Sequence, residues 1–390
     1  MKKSLMMMCI SVLMIFYAIP TIAEVKIGGI IFTDAWYEFQ DSENTGTKDD
    51  VAKFKVQIPN ISRLHGKWTS DNKDTGMWIE LGLDGNGVGE RDVCTRQAYG
   101  WWQVNPLLRI TAGQTVTGFS PLFPQQMLGT ETSRINLIGG GFGDLYSGRI
   151  PLVRFTLTPS KELTVDVAFS DPDIRSAGFA DAITKGTNNT SLPRIDLSSA
   201  INAGPLTLYP GFMFANKTFT DVPDGGDDSI TTYAVSLGAK ANFGPVCIKG
   251  EVNFGQNWGN QDFLSIGKEN TLFGGAVSIG NNKIEDSDMF AGWLDAGITV
   301  EAAEIHTIFG IQSYANDRLP QTNEDDFEQT VMMFGFSVPV KVTDNFKIRP
   351  EIILYDLGER ENYIDNLDGT YNDEDRGKYV IAGVQFQITF

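Results

Sequence analysis

The feature that most constrains this chain is a two-residue alternation of apolar and polar side chains, which recurs in about sixteen segments between residues 24 and 390. In the last segment one face is apolar throughout and the other turns polar towards the end. Because successive side chains of a strand point to opposite faces, segments of ~10 residues of this kind are typical of strands in a transmembrane barrel. The apolar face of that segment consists of Val380, Ala382, Val384, Phe386, Ile388 and Phe390.

The connections between these segments alternate in length. Seven are tight turns, beginning near residues 70, 105, 159, 203, 244, 302 and 343. Eight are long and polar, near 40–50, 84–90, 118–148, 171–191, 220–228, 259–287, 316–327 and 359–376. Fifteen connections join sixteen strands, and short turns on the periplasmic side with long outer loops are typical of bacterial barrels. Thr271–Ile279 is a candidate additional strand, so a barrel of eighteen strands remains an alternative.

The N-terminus has the pattern of a targeting segment. Lys2 and Lys3 precede an apolar run from Leu5 to Ile19, and small residues up to Ala23 suggest cleavage before Glu24. The run is ~15 residues, whereas a membrane helix needs ~20, so we expect a signal peptide over 1–23 and one barrel domain over 24–390. Its removal takes away two lysines and no acid, which changes the formal charge from −18 to −20.

Two other classes of protein fit the sequence less well than the barrel. A secreted β-sandwich or β-solenoid would also alternate, but sixteen strands with one apolar face each would need a very large dry core. Nucleic-acid binding requires a basic surface, which a chain with 49 acidic and 31 basic residues does not offer. The pattern therefore favours an all-β, antiparallel transmembrane barrel.

The end of the chain carries a recognisable motif. Residues 383–390 alternate hydrophobic positions and finish on phenylalanine, and they resemble the barrel-assembly signal of the Gram-negative outer-membrane porins. The resemblance covers 24–390 by pattern but only the last eight residues by motif. It implies an outer-membrane location, insertion by the barrel-assembly machinery and a homotrimer. The signal residues are Gly383, Phe386, Ile388 and Phe390.

The resemblance also implies a pore constriction. In porins the third long loop folds into the barrel and narrows it, and here that loop is 118–148. We expect Glu131 and Asp144 on this loop to form the acidic side of the constriction and to face a basic ladder on the wall, and Arg134 is a basic candidate on the same loop. The alternatives are a loop that caps the barrel mouth and wall charges that only brace the barrel. The ladder candidates are Arg63, Arg109, Arg154 and Arg349.

Acidic runs occupy three of the outer loops, at 224–228, 324–326 and 373–375. A solvated acidic rim of this kind could be bridged to lipopolysaccharide phosphates by divalent ions. Because a mouth of one sign concentrates the opposite ion, the rim predicts a weak cation preference. That preference reverses if the arginines dominate the narrowest point.

Histidine and cysteine, two residue types common in active sites, are scarce in this chain. The expected mature chain has only His65 and His306, no G-x-S-x-G motif, no metal-ligand spacing and no redox cysteine pair. We therefore expect no enzyme activity, no cofactor and no metal site. The sequence predicts a passive pore for small hydrophilic solutes and ions. A substrate-specific channel and a non-conducting scaffold that sheathes a partner protein remain alternatives.

Overall fold

The computed structural model describes residues 24–42, 49–59, 61–83, 93–126, 128, 145, 148–172, 187–222, 227–261, 278–280, 283–316, 327–364 and 371–390. The expected signal peptide, 1–23, lies outside them. The described residues form a closed antiparallel barrel of sixteen strands, as the alternation predicted.

The strands follow the predicted segments to within a few residues at most ends. The first eight are β1 (Glu24–Gln40), β2 (Val51–Gln57 and Arg63–Thr69), β3 (Thr75–Leu83), β4 (Val93–Asn105), β5 (Leu108–Thr115), β6 (Ile150–Leu157), β7 (Leu163–Ser170) and β8 (Arg194–Ala203). The last eight are β9 (Leu206–Thr220), β10 (Ser229–Phe243), β11 (Val246–Gln256), β12 (Ser287–Val300), β13 (Ala303–Asn316), β14 (Phe327–Ser337 and Val340–Lys341), β15 (Phe346–Asp356) and β16 (Lys378–Thr389).

The first and last strands close the ring. β1 pairs with β16 from Ile30↔Thr389 to Gln40↔Tyr379, so neither strand presents an open edge in that range. β11 pairs directly with β12, which leaves no place for a further strand between them and settles sixteen over eighteen. In the region of the candidate extra strand, the described residues form a separate hairpin of Ser278–Gly280 and Lys283–Glu285.

The two ends of the barrel differ as predicted. One end carries the short turns, and both ends of the barrel chain lie there. Glu24 pairs with Thr69 beside the first turn, and Asn345 in the last turn donates from Nδ2 to the carbonyl of Thr389 at 2.7 Å. The other end carries the long connections.

Side chains alternate along each strand between the outer surface of the barrel and its lumen. On β1, Tyr37 and Phe39 are exposed outward, whereas Asp34, Trp36 and Glu38 point inward and are buried. The same division repeats around the ring and gives an outward apolar belt, which suits hydrocarbon rather than water. In the described part of the chain, no helix is long and apolar enough to cross a membrane.

Proline interrupts two strands that the alternation predicted as continuous, 51–67 and 328–342. β2 breaks around Pro59 and β14 breaks at Pro339, because proline has no N–H to donate to a neighbouring strand. At the first break the Ser62 hydroxyl accepts a hydrogen bond from the backbone N–H of Phe32 at 2.9 Å and so replaces a strand contact.

Candidate pore constriction

The third loop leaves β5 at Val116 and returns to β6 at Ile150, and its described residues lie inside the barrel. Phe119 packs on inward-facing Gly211, where an added Cβ would lie only 2.9 Å from the ring. Leu122 packs on Gly238 in the same way, at 3.1 Å. These glycines leave room for the loop against the wall. The inward-folded prediction is confirmed for the described part of the loop, which does not form an outer cap.

Three wall carboxylates hold the loop in place. Ser120 Oγ donates to Glu251 Oε1 on β11 at 2.6 Å. The backbone N–H of Gln125 donates to Asp295 Oδ2 on β12 at 2.8 Å, and that of Leu128 donates to Glu351 Oε2 on β15 at 2.8 Å. These three hydrogen bonds reach carboxylates on three separate strands, so together they fix the path of the loop from Ser120 to Leu128.

Further bonds tie both limbs of the loop to this side of the barrel, which we call the anchor wall (the inward faces of β9–β13 and β15). The Leu145 N–H on the returning limb donates to Ser120 Oγ at 3.1 Å. Lys249 Nζ donates to the Phe123 carbonyl at 2.9 Å, and Gln126 Nε2 donates to the Tyr355 hydroxyl at 3.1 Å. The described part of the loop is therefore held by the wall from Phe119 to Leu128, and Leu145 is joined to it through Ser120.

Apolar packing completes the contact. Phe119, Leu128 and Leu145 share one buried cluster with inward-facing wall side chains, among them Met213 and Met289. The inward face of the anchor wall, which would contact water in an open barrel, is here packed against the loop. The wall opposite this contact in the ring of strands is that of β2–β6.

That opposite wall carries an arginine cluster. Glu80 on β3 is only 3% exposed, and three guanidinium groups approach its carboxylate. Its oxygens lie 2.9 Å from Arg96 Nε, 3.4 Å from Arg63 Nε and 3.9 Å from Arg149 Nε. We call the inward faces of β2–β6, with these residues and Arg154, the arginine wall.

A β-bulge explains why Arg96 was not among the sequence candidates. The pairing of β3 with β4 shifts between Glu80↔Gln97 and Leu81↔Thr95, so Arg96 is an extra residue. Strict alternation would turn Arg96 away from Gln97, but a bulge lets both side chains face the lumen. Both donate to Glu80, Arg96 at 2.9 Å and Gln97 at 3.4 Å.

The four ladder candidates occupy different places. Arg63 belongs to the Glu80 cluster. Arg154 lies 3.6 Å from Asp166 and donates to the Val116 carbonyl at 3.0 Å, where the third loop starts. Arg109 donates to Gln103 Oε1 at 2.9 Å nearer the turn end.

Arg349 stands apart from the other three, on β15. It contacts Gln385 and lies 4.0 Å from Glu351. The loop candidates Glu131, Arg134 and Asp144 lie outside the described residues. The structure thus brings Arg63 together with Arg96 and Arg149, two arginines that the sequence did not single out, and places Arg154 on the same wall beside Asp166.

His306 faces the lumen and braces the anchor wall. Its Nδ1 lies 2.7 Å from Asp295 Oδ1, and the other Asp295 oxygen binds the loop. Glu304 is 3.4 Å from Nε2. Across the described ranges, no group of three or more His, Cys, Asp or Glu side chains could hold a metal ion.

Comparison with known proteins identifies the architecture. No family model and no curated protein matches the sequence. The outer membrane channel DcaP of Acinetobacter baumannii is similar in structure, with a TM-score of 0.66 at 16% identity, over 95% of this chain and 99% of that one. The anion-selective porin from Comamonas acidovorans gives 0.60 at 14% identity, over 94% and 100%. The chain has the porin fold.

A trimer form of in-vitro folded OmpT from Vibrio cholerae shares this porin fold, with a TM-score of 0.55 at 11% identity, over 94% of this chain and 99% of that one. At these identities the likeness concerns the fold. The porin fold is that of an outer-membrane barrel, and the outward apolar belt fits that location.

Proposed function

We propose that the protein is an outer-membrane porin that lets small hydrophilic solutes and ions diffuse passively through its lumen. The observation that carries the proposal is the anchoring of the third loop on Glu251, Asp295 and Glu351. A loop held against one wall narrows the barrel without closing it and directs solutes along the arginine wall. The similar structures named as a channel and a porin support this reading.

The proposed path favours anions over cations. The three anchoring carboxylates lie beneath the loop, whereas the guanidinium groups around Glu80 belong to the wall that the path follows. Ions are discriminated where fixed charge is nearest. This is the condition under which the cation preference expected from the acidic rim reverses, and the similar Comamonas protein is described as anion-selective.

The remaining parts of the proposal concern export and assembly. We propose that 1–23 is a signal peptide, that the barrel-assembly machinery recognises the end of the chain at Phe390, and that three copies associate. The trimer form of the structurally similar Vibrio OmpT supports the association of three copies. The acidic loops would contact lipopolysaccharide through divalent ions. The pore would work without catalysis or a cofactor.

Planar-bilayer recording of the purified protein tests this function. We expect stepwise increases in current, each step staying open at low voltage. Steps that one solute blocks saturably, with other solutes inert, would favour a substrate-specific channel instead. If the correctly folded barrel gives no channel current, the result would contradict a porin function and favour a scaffold around a partner protein.

A further inference from the structure

Aromatic rings lie flat on the arginine wall below the Glu80 cluster. Trp101 on β4 covers Gly76 on β3 so closely that an added Cβ on Gly76 would lie 2.1 Å from the indole. His65 on β2 covers Gly28 on β1 in the same manner, at 2.8 Å. In both places glycine is what allows the ring to lie against the backbone.

These rings form a continuous surface towards the turn end of the barrel. His65 is in register with Glu80 and stacks on Trp78, with centroids 4.7 Å apart. Tyr99 is in register with Trp78, and its ring centroid lies 6.1 Å from that of Trp101. A solute that leaves the arginine cluster therefore meets aromatic faces next.

Cationic groups surround the lower end of this surface. Lys67 Nζ lies 5.6 Å from the centroid of the Trp101 ring, which holds the ammonium group beside the indole. Both side chains line a cavity of about 310 Å³ at the turn end. Its lining residues are Glu24, Lys67, Thr69, Lys73, Trp101 and Arg109. Glu24 is itself paired with Lys26, at 2.8 Å.

We propose that this cavity binds planar aromatic carboxylates. A ligand that carries a ring and a carboxylate meets the indole of Trp101 and the charges of Lys67 and Arg109 at one place. An aliphatic carboxylate would satisfy only the charges, and a neutral aromatic molecule only the indole. The site deepens the proposed function, on which it rests, because it gives the passive pore a preferred class of solute.

Isothermal titration calorimetry on the folded protein in detergent tests the site with three probes. We expect benzoate to bind more tightly than cyclohexanecarboxylate, which has the same charge without the aromatic ring. Benzyl alcohol, which has the ring without the charge, should bind more weakly than benzoate as well. Equal affinity for benzoate and cyclohexanecarboxylate would overturn the aromatic part of the proposal.

Neighbouring tryptophans provide a matched pair of variants. Trp101→Leu should weaken benzoate binding by about 3- to 10-fold, the effect of losing one aromatic contact. Trp102 points outward and is 52% exposed, so Trp102→Leu should leave the affinity unchanged. Equal losses in the two variants would overturn the assignment to this cavity.

A lysine pair tests the charge. Lys67→Met should weaken benzoate binding by about 2- to 5-fold. Lys341→Met, at the same end of the barrel but paired with Asp344 outside the cavity, should not change it. If Lys67→Met binds benzoate with the same affinity as the wild type, the proposal is overturned.

Bilayer recording separates this site from the pore. Channel steps without benzoate binding would overturn the site and leave the porin standing. If the barrel binds benzoate but gives no channel current, the binding site would stand and the proposed porin function would be overturned.

Discussion

Phe390 and Gly29 exchange two backbone hydrogen bonds, of 3.0 and 3.1 Å, so the last residue of the chain completes the ring of strands. The Phe390 ring also covers Gly29, where an added Cβ would lie 2.6 Å from it. The C-terminal motif is thus part of the seam that closes the barrel, as well as a candidate signal for its assembly.

The seam should be intolerant of added volume at Gly383. A Cβ there would lie 2.3 Å from the carbonyl oxygen of Ala35 and 2.6 Å from the Cα of Trp36, both on β1. We expect Gly383→Ala to lower the free energy of unfolding by about 1–3 kcal/mol, the usual effect of overpacking. Urea unfolding of the detergent-solubilised barrel measures it. Gly66→Ala, which would meet nothing within 4 Å, is the control, and equal effects of the two would contradict the seam.

The arginine cluster should depend on the carboxylate of Glu80, which three guanidinium groups approach. Glu80→Gln leaves the guanidinium groups of Arg63, Arg96 and Arg149 close together without the charge that all three approach. We expect a loss of about 2 kcal/mol or more in the free energy of unfolding, since breaking a buried ion pair is strongly destabilising. Asp344→Asn removes an exposed partner of Lys341 and should have no measurable effect. A Glu80→Gln barrel as stable as the wild type would disprove the bracing role.

Ser120 should control how firmly the third loop is held. Ser120→Ala removes the donor to Glu251 and the acceptor for the Leu145 N–H together. We expect noisier open-channel current and a higher mean conductance, because the loop can leave the wall. Ser160→Ala, in a short turn where the hydroxyl only accepts from the Glu162 N–H, is the control. An unaltered current trace for Ser120→Ala would show that the loop is held by other contacts.

The sequence predicted most strands well because each has to present apolar side chains to lipid and alternate with the lumen. The strand Ser229–Phe243, predicted with the same bounds, follows directly from that rule. The same rule failed at Pro59 and Pro339. There the missing proline N–H interrupts the hydrogen bonds between strands, although the alternation of side chains continues.

The site was less accessible to sequence reasoning. Arg96 faces the lumen only because of a bulge, and a bulge depends on how two strands pair rather than on one strand's pattern. The partners of the third loop, Glu251, Asp295 and Glu351, lie on three different strands far along the chain. The alternation of side chains is enough to place Glu251 and Glu351 on the inward face, but it cannot show which groups they bind.

A homotrimer should be visible in mild detergent. We expect light scattering, corrected for bound detergent, to give a protein mass about three times that of one mature chain. Heating should convert it to a single-chain species. A protein that has the single-chain mass before heating would contradict the assembly.

The most direct test of the pore is the zero-current potential across a bilayer that separates two concentrations of KCl, both at or below 0.1 M, where charges act over ~10 Å or more. Arg63→Gln with Arg149→Gln removes two charges but keeps the 2.9 Å bond between Arg96 and Glu80. We predict an anion preference in the wild type and a clear shift towards cations in the double variant. A cation preference in the wild type, or the same potential in both proteins, would show that ions do not pass along the arginine wall.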